Sequence, residues 1–130
     1  MNPIGSEIQL MNVAMAKIYA AQIRRSHVLR EEMPNVQESI TVREAIALVF
    51  VTNQTKEDGK PLYTNEQSRK AAADARLAES TEAGEYKAFL ALRRKLQMEL
   101  DELDAGIELE RRVSSVAKLS AQSVIAGMQS

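Results

Sequence analysis

The stretch EYKAFLALRRKLQMELDELDAGIELERRVSSVAKLSAQ, residues 85–122, decides the fold. It holds no proline and a single glycine, Gly106, and its apolar residues recur at helical spacing. Tyr86, Phe89, Leu96, Leu100, Leu103 and Ile107 form one stripe, with charged residues on the other faces. If Arg93 takes one seam position, the steps alternate between three and four residues, the heptad rule for a helix that meets another helix. About forty residues of helix would be on the order of 60 Å long. A chain of 130 residues cannot wrap such a helix inside one compact core. Part of it must therefore pack on a hairpin partner in the same chain, on a second subunit or on a different protein. Arg93 and Glu110 interrupt the seam, which confines its continuous part to Leu96–Ile107, with Tyr86 and Phe89 as an aromatic start. The six apolar residues are the candidate interface. An intramolecular hairpin and an intersubunit, coiled-coil-like seam both remain open.

Working outward from that helix, the rest of the chain also reads as helical. Ser6 is a candidate N-cap for a first helix over 6–33, in which Ile8, Met11, Met15 and Ile18 keep helical spacing. Pro34 is expected to end it, because the residue before a proline is pushed out of the α region. Residues 34–40 then read as a linker. Thr41 with Glu44 matches a capping box and opens a second helix over 41–53. Val49, Phe50, Val51 and Thr52 also permit a strand, and the Asp58-Gly59 turn would close a hairpin behind it. The capping box favours the helix. Thr64 with Gln67 is a second capping box, opening a helix over 65–79 whose buried face is mostly alanine. Ser80–Gly84 reads as a break, with Thr81 as a cap, before the long helix over 82–122.

Composition agrees with an all-α chain of about four helices in a single domain over 1–130. Apolar residues make up 45% and aromatics only 4%, with five glycines and three prolines, so turns are few and elements long. The net charge of −1 gives no global basic excess of the kind that neutralises a phosphate backbone. With no cysteine, disulfides, thiolate metal sites and cysteine nucleophiles are excluded. The N-terminus lacks a signal-peptide pattern, and the longest apolar run, 45–51, is too short to span a bilayer. A cytoplasmic protein is expected, which makes the acceptor pattern at Asn53-Gln54-Thr55 a coincidence.

Candidate chemistry is thin. Arg69, Lys70, Arg76, Arg93, Arg94 and Lys95 are the candidate nucleic-acid-binding residues, but acids flank them and no aromatic residues interleave as a stacking platform would require. All-α nucleotide pyrophosphohydrolases hold Mg²⁺ through ExxE and ExxD motifs. Glu79, Glu82, Glu99 and Glu102 resemble that pattern, except that Glu102 stands where aspartate is expected. His27, the one histidine, has Glu31 a turn later, but a bundle metal site needs several such ligands. No glycine-rich phosphate loop or nucleophile elbow is present. The expectation is a protein that is not an enzyme, with no cofactor and no bound metal.

Two segments carry a resemblance. DGKPLYTNEQSRKAAADARL, residues 58–77, and EYKAFLALRRKLQMELDEL, residues 85–103, resemble small helical proteins of bacteriophages and mobile elements. The shared pattern is a DGKxxYTNExxR loop and helix start followed by a charged, leucine-rich helix. It covers roughly the C-terminal half and implies an accessory role near DNA metabolism without specifying an activity. The sequence-based reading is a self-associating interaction or adaptor protein. Nucleic-acid binding and Mg²⁺-dependent nucleotide hydrolysis are the alternatives.

Overall fold

A computed structural model describes residues 3–79 and 83–129. It is all-α, and no strand occurs among the described residues. The elements are α1 (Pro3–His27), a π-helical segment (Val28–Glu32), α2 (Met33–Thr52), α3 (Glu66–Glu79) and α4 (Ala83–Gln129). Because α1, the π segment and α2 join without a break, the described residues form three continuous helical stretches rather than four separate helices.

The expected linker at 34–40 is therefore helix, and Ile40 is fully buried within it. The physical reason lies at Pro34. A proline lacks the N–H, and its ring collides with the carbonyl four residues back, here that of Arg30. The π segment immediately precedes it and moves backbone bonding from i→i+4 to i→i+5, which widens the turn. Pro34 is the second residue of α2, directly after the π segment, so the widened turn falls where the proline ring needs room. Thr41 is consequently no cap. It sits mid-helix, and its Oγ1 accepts a hydrogen bond from Gln37 Nε2 at 3.2 Å.

The helical alternative for the segment before the loop is the correct one, since α2 runs through Thr52. The turn signal behind it was nevertheless real. Gly59 N–H donates to Lys56 O, Lys56 N–H to Lys60 O, and Gly59 adopts φ +83°. Asp58 Oδ1 accepts from the Lys60 N–H at 3.0 Å, bracing the same turn. The loop folds back only as far as an isolated bridge between Thr55 and Pro61. The cap of α3 lies one residue later than the Thr64–Gln67 box. Asn65 Oδ1 accepts from the Ser68 N–H at 2.7 Å, and Ser68 Oγ returns a bond to the Asn65 carbonyl. Ser80, Thr81 and Glu82, the greater part of the expected break, lie outside the described residues. α4 begins at Ala83 and extends to Gln129, seven residues past the expected end.

The chain divides into two compact units, Met1–Arg30 with Gln97–Ser130, and Glu31–Leu96. In the second unit, α2 packs against α3 and the first part of α4. Its core combines Val36, Ile40, Ala47 and Val51 of α2 with Ala73 of α3 and Leu96 of α4. Tyr63 and Leu77 pack against the Ala47–Val51–Ala73 cluster. Alanines on α3 allow the close helix approach expected of them. The first unit is a pair of helices. Arg24 reaches Glu99 and Lys17 reaches Glu110, so α1 and the later part of α4 run antiparallel.

Candidate protein-interaction surface

Along α4 one series of buried and half-buried positions steps by three and four, Tyr86, Phe89, Arg93, Leu96, Leu100, Leu103, Ile107, Glu110, Ser114, Ala117, Ala121 and Val124, with half-buried Leu90, Glu99 and Ser120 beside it. α1 shows the same rhythm at Glu7, Met11, Ala14, Ile18, Ala21, Arg25 and Val28. Of the six candidate interface residues, Leu96, Leu100 and Ile107 are buried, and Tyr86, Phe89 and Leu103 are half-buried, all by the chain's own helices. These six side chains are covered within the single chain. A docking surface must then be sought on the faces that remain open.

Polar residues on and beside the stripes are matched across the helix pair. Lys17 Nζ lies 3.6 Å from Glu110 Oε1. Arg24 grips Glu99 with two nitrogens, Nη2 to Oε1 at 2.6 Å and Nε to Oε2 at 2.9 Å, the bidentate form that a guanidinium favours. Arg25 Nε donates to Asp104 Oδ1 at 2.7 Å. Each pair is partly solvated, so each contributes about 1 kcal/mol or less. Their main effect is to set register and antiparallel sense.

In the second unit, Arg43 Nη1 donates to the Ser39 carbonyl, Nη2 donates to Glu85, and the guanidinium lies 4.5 Å from the Phe89 ring centroid. Burial, reinforced by the negative charges of Glu44 and Asp74, holds the Tyr86 hydroxyl above the usual tyrosine range. Arg76 lies over Phe50, 3.3 Å from the ring centroid, beside an open groove of about 310 Å³ lined also by Val51, Gln54, Tyr63 and Glu79.

The other sequence candidates scatter. Arg69, Lys70 and Arg76 are on α3, while Arg93, Arg94 and Lys95 are on α4. Arg76 is engaged with Phe50, and Arg93 Nη1 donates to Gln37 Oε1 at 3.0 Å. Among the acids, Glu82 lies outside the described residues and Glu99 is taken up by Arg24. No group of three or more histidines, aspartates or glutamates positioned to hold a metal ion occurs among the described residues. His27 is the exposed last residue of α1, the helix-end position expected of it. No helix among the described residues is long and apolar enough to cross a membrane.

What stands out is apolar surface on the first unit. Its buried apolar side chains among the described residues are Ala14, Ile18, Val28, Leu100, Ile107, Ala117 and Ala121, three of them only methyl groups. Against these seven stand fourteen exposed large apolar residues, seven between Ile8 and Leu29 and seven between Met98 and Met128. Tyr19 is 67% exposed and Val116 66%. Sequence reasoning missed this surface because it followed the single best stripe of α4, and a helix with two apolar stripes shows the second only when the first is already covered. No protein-family model matches the chain, and comparison with curated proteins and with solved structures finds no match.

Proposed function

We propose that this chain is a non-enzymatic helical interaction protein that associates with itself and serves as an accessory or adaptor. One observation carries the reading: a two-helix unit leaves more large apolar side chains open than it buries. A unit of about sixty residues with so small a core sits below the size at which a single core stabilises itself well. The exposed large apolar residues of this unit outnumber its buried ones two to one, which leaves apolar surface for a partner to cover. The resemblance of residues 58–77 and 85–103 to phage and mobile-element proteins supports an accessory role in DNA metabolism, in the cytoplasm. This reading ranks above nucleic-acid binding because Arg76 and Arg93, two of the six basic candidates, are already engaged within the chain. Light scattering coupled to size exclusion, run from low to high micromolar protein, tests it. A mass of two or more chains is expected, and a strict monomer throughout that range would overturn it.

A further inference from the structure

The groove beside Arg76 is built by three segments of the second unit. Phe50, Val51 and Gln54 come from the end of α2 and the turn after it, Tyr63 from the loop, and Ala72, Ala75, Arg76 and Glu79 from α3. On α3 those four positions share one face, because residues three and four apart are neighbours on a helix. Ala72 and Ala75 keep the floor low, and larger side chains there would fill the space of about 310 Å³. The loop wall is anchored by backbone. The Leu62 N–H donates to the Gln54 carbonyl at 3.0 Å, and the next residue, Tyr63, packs on the Ala47–Val51–Ala73 cluster.

The charged groups of this groove are arranged unlike those elsewhere in the chain. Arg24, Arg25 and Arg43 each meet a carboxylate on another helix, from Glu99, Asp104 and Glu85 respectively. Arg112 meets Glu108 one turn away on its own helix. Arg76 and Glu79 also stand one turn apart on one face, a spacing that joins opposite charges, yet Arg76 lies over Phe50 instead. No hydrogen bond or ion pair to the Arg76 guanidinium or the Glu79 carboxylate occurs among the described residues. A guanidinium stacked on a ring uses its face and keeps its N–H edge for a planar acceptor such as a carboxylate. One groove therefore presents an open cationic fork, an open carboxylate and an apolar lining of Phe50, Val51, Ala72 and Ala75.

We propose that this groove binds a free α-amino acid with a large apolar side chain. Arg76 takes its carboxylate, Glu79 its ammonium, and Phe50 with Tyr63 flanks its side chain. Cβ atoms one helical turn apart are about 5–6 Å from each other, which suits two ligand charges carried on a single carbon. Like charges facing each other are costly, so Glu79 selects against a phosphate dianion and Arg76 against a simple amine. A peptide end fits less well, because it carries only one of the two charges beside its side chain. The volume lies at the small end of the range for small-molecule sites, as such a ligand requires. The site belongs to the second unit and is independent of self-association.

L-Phenylalanine titrated into the isotope-labelled full chain, followed by amide chemical shifts, tests the proposal. Saturable shifts centred on the end of α2, Tyr63 and α3 are expected. About a dozen ligand atoms at ordinary ligand efficiency give a Kd on the order of 1 mM. Hydrocinnamate lacks the ammonium and phenethylamine lacks the carboxylate, and each should bind at least about tenfold more weakly. Arg76→Gln should weaken L-phenylalanine binding by a similar factor. Glu79→Gln should weaken L-phenylalanine while leaving hydrocinnamate unchanged or tighter, a pattern that loss of structure does not give. Both side chains are exposed, so both variants should keep the parent's helicity in circular dichroism. The absence of saturable shifts up to about 20 mM L-phenylalanine overturns the site. Equally tight binding of hydrocinnamate, or undiminished binding of L-phenylalanine by Glu79→Gln, overturns the amino-acid assignment.

Discussion

Ile40 gives the sharpest test of the fold, because a linker at that position and a buried helical residue predict opposite outcomes. It is the largest of the two most completely buried side chains, with no residual exposure, and it sits on α2 between Val36 and Arg43 of the same buried face. Truncating a fully buried isoleucine to alanine removes its transfer free energy and leaves a cavity, together about 2–5 kcal/mol. The unfolding entropy of a chain of 130 residues is about 0.27 kcal/mol per kelvin, so Ile40→Ala should lower Tm by roughly 7–18 °C. Ile46, also on α2 and 61% exposed, supplies the matched control. Ile46→Ala makes the same chemical change without emptying a core, and alanine's better helix propensity keeps the effect within about 0.5 kcal/mol. The assay is circular dichroism at 222 nm against temperature and against urea, at one fixed protein concentration so that association does not move the midpoint. Equal shifts for Ile40→Ala and Ile46→Ala would refute the packing described here and restore a linker over 34–40.

Three further outcomes follow from particular contacts. Asn65→Ala removes the α3 cap and should cost about 1 kcal/mol, read as faster amide exchange in the first turn of α3, whereas Thr64→Ala should cost little. Gly59→Ala should destabilise by about 1–2 kcal/mol in urea melts, because φ +83° is strained for alanine while the space around it is open, and Gly59→Asn should recover part of the loss. Tyr86 binds its proton more tightly folded than unfolded. Its contribution is therefore complete below the ordinary tyrosine value of about 10 and is lost as pH rises through the higher folded value. A difference titration at 295 nm between the parent and Tyr86→Phe should show one midpoint above that ordinary value, and Tyr86→Phe should flatten the alkaline fall in stability.

The long C-terminal helix, the absence of strands and the α3 boundaries were legible because each rests on local pattern: periodicity, few glycines, a cap within one residue of its true place. The seam was read as broken at Arg93 and Glu110 because one strand of sequence cannot show that Gln37 and Lys17 answer them from another helix. Its continuation past Ile107 was missed for a related reason. Ser114, Ala117 and Ala121 bury almost nothing individually, so they do not register as an apolar stripe, yet small residues are what let two helices approach. Pro34 misled most. Proline was weighed as a terminator, and only the backbone geometry of the preceding turn decides whether a helix accommodates it.

That accommodation has a consequence for how the chain tolerates changes of length. Up to Val28 the buried positions step by three and four. From Val28 they step by four three times, through Glu32 and Val36 to Ile40, before a step of three to Arg43. The π turn is thus one surplus residue absorbed as extra width instead of extra rotation. At other positions along α1 and α2, removing a residue swings every later side chain by about 100° and turns a buried face toward water. Removing one between Leu29 and Glu31 would instead convert a wide turn into an ordinary one. The segment is the place between α1 and α2 where a one-residue deletion is best absorbed.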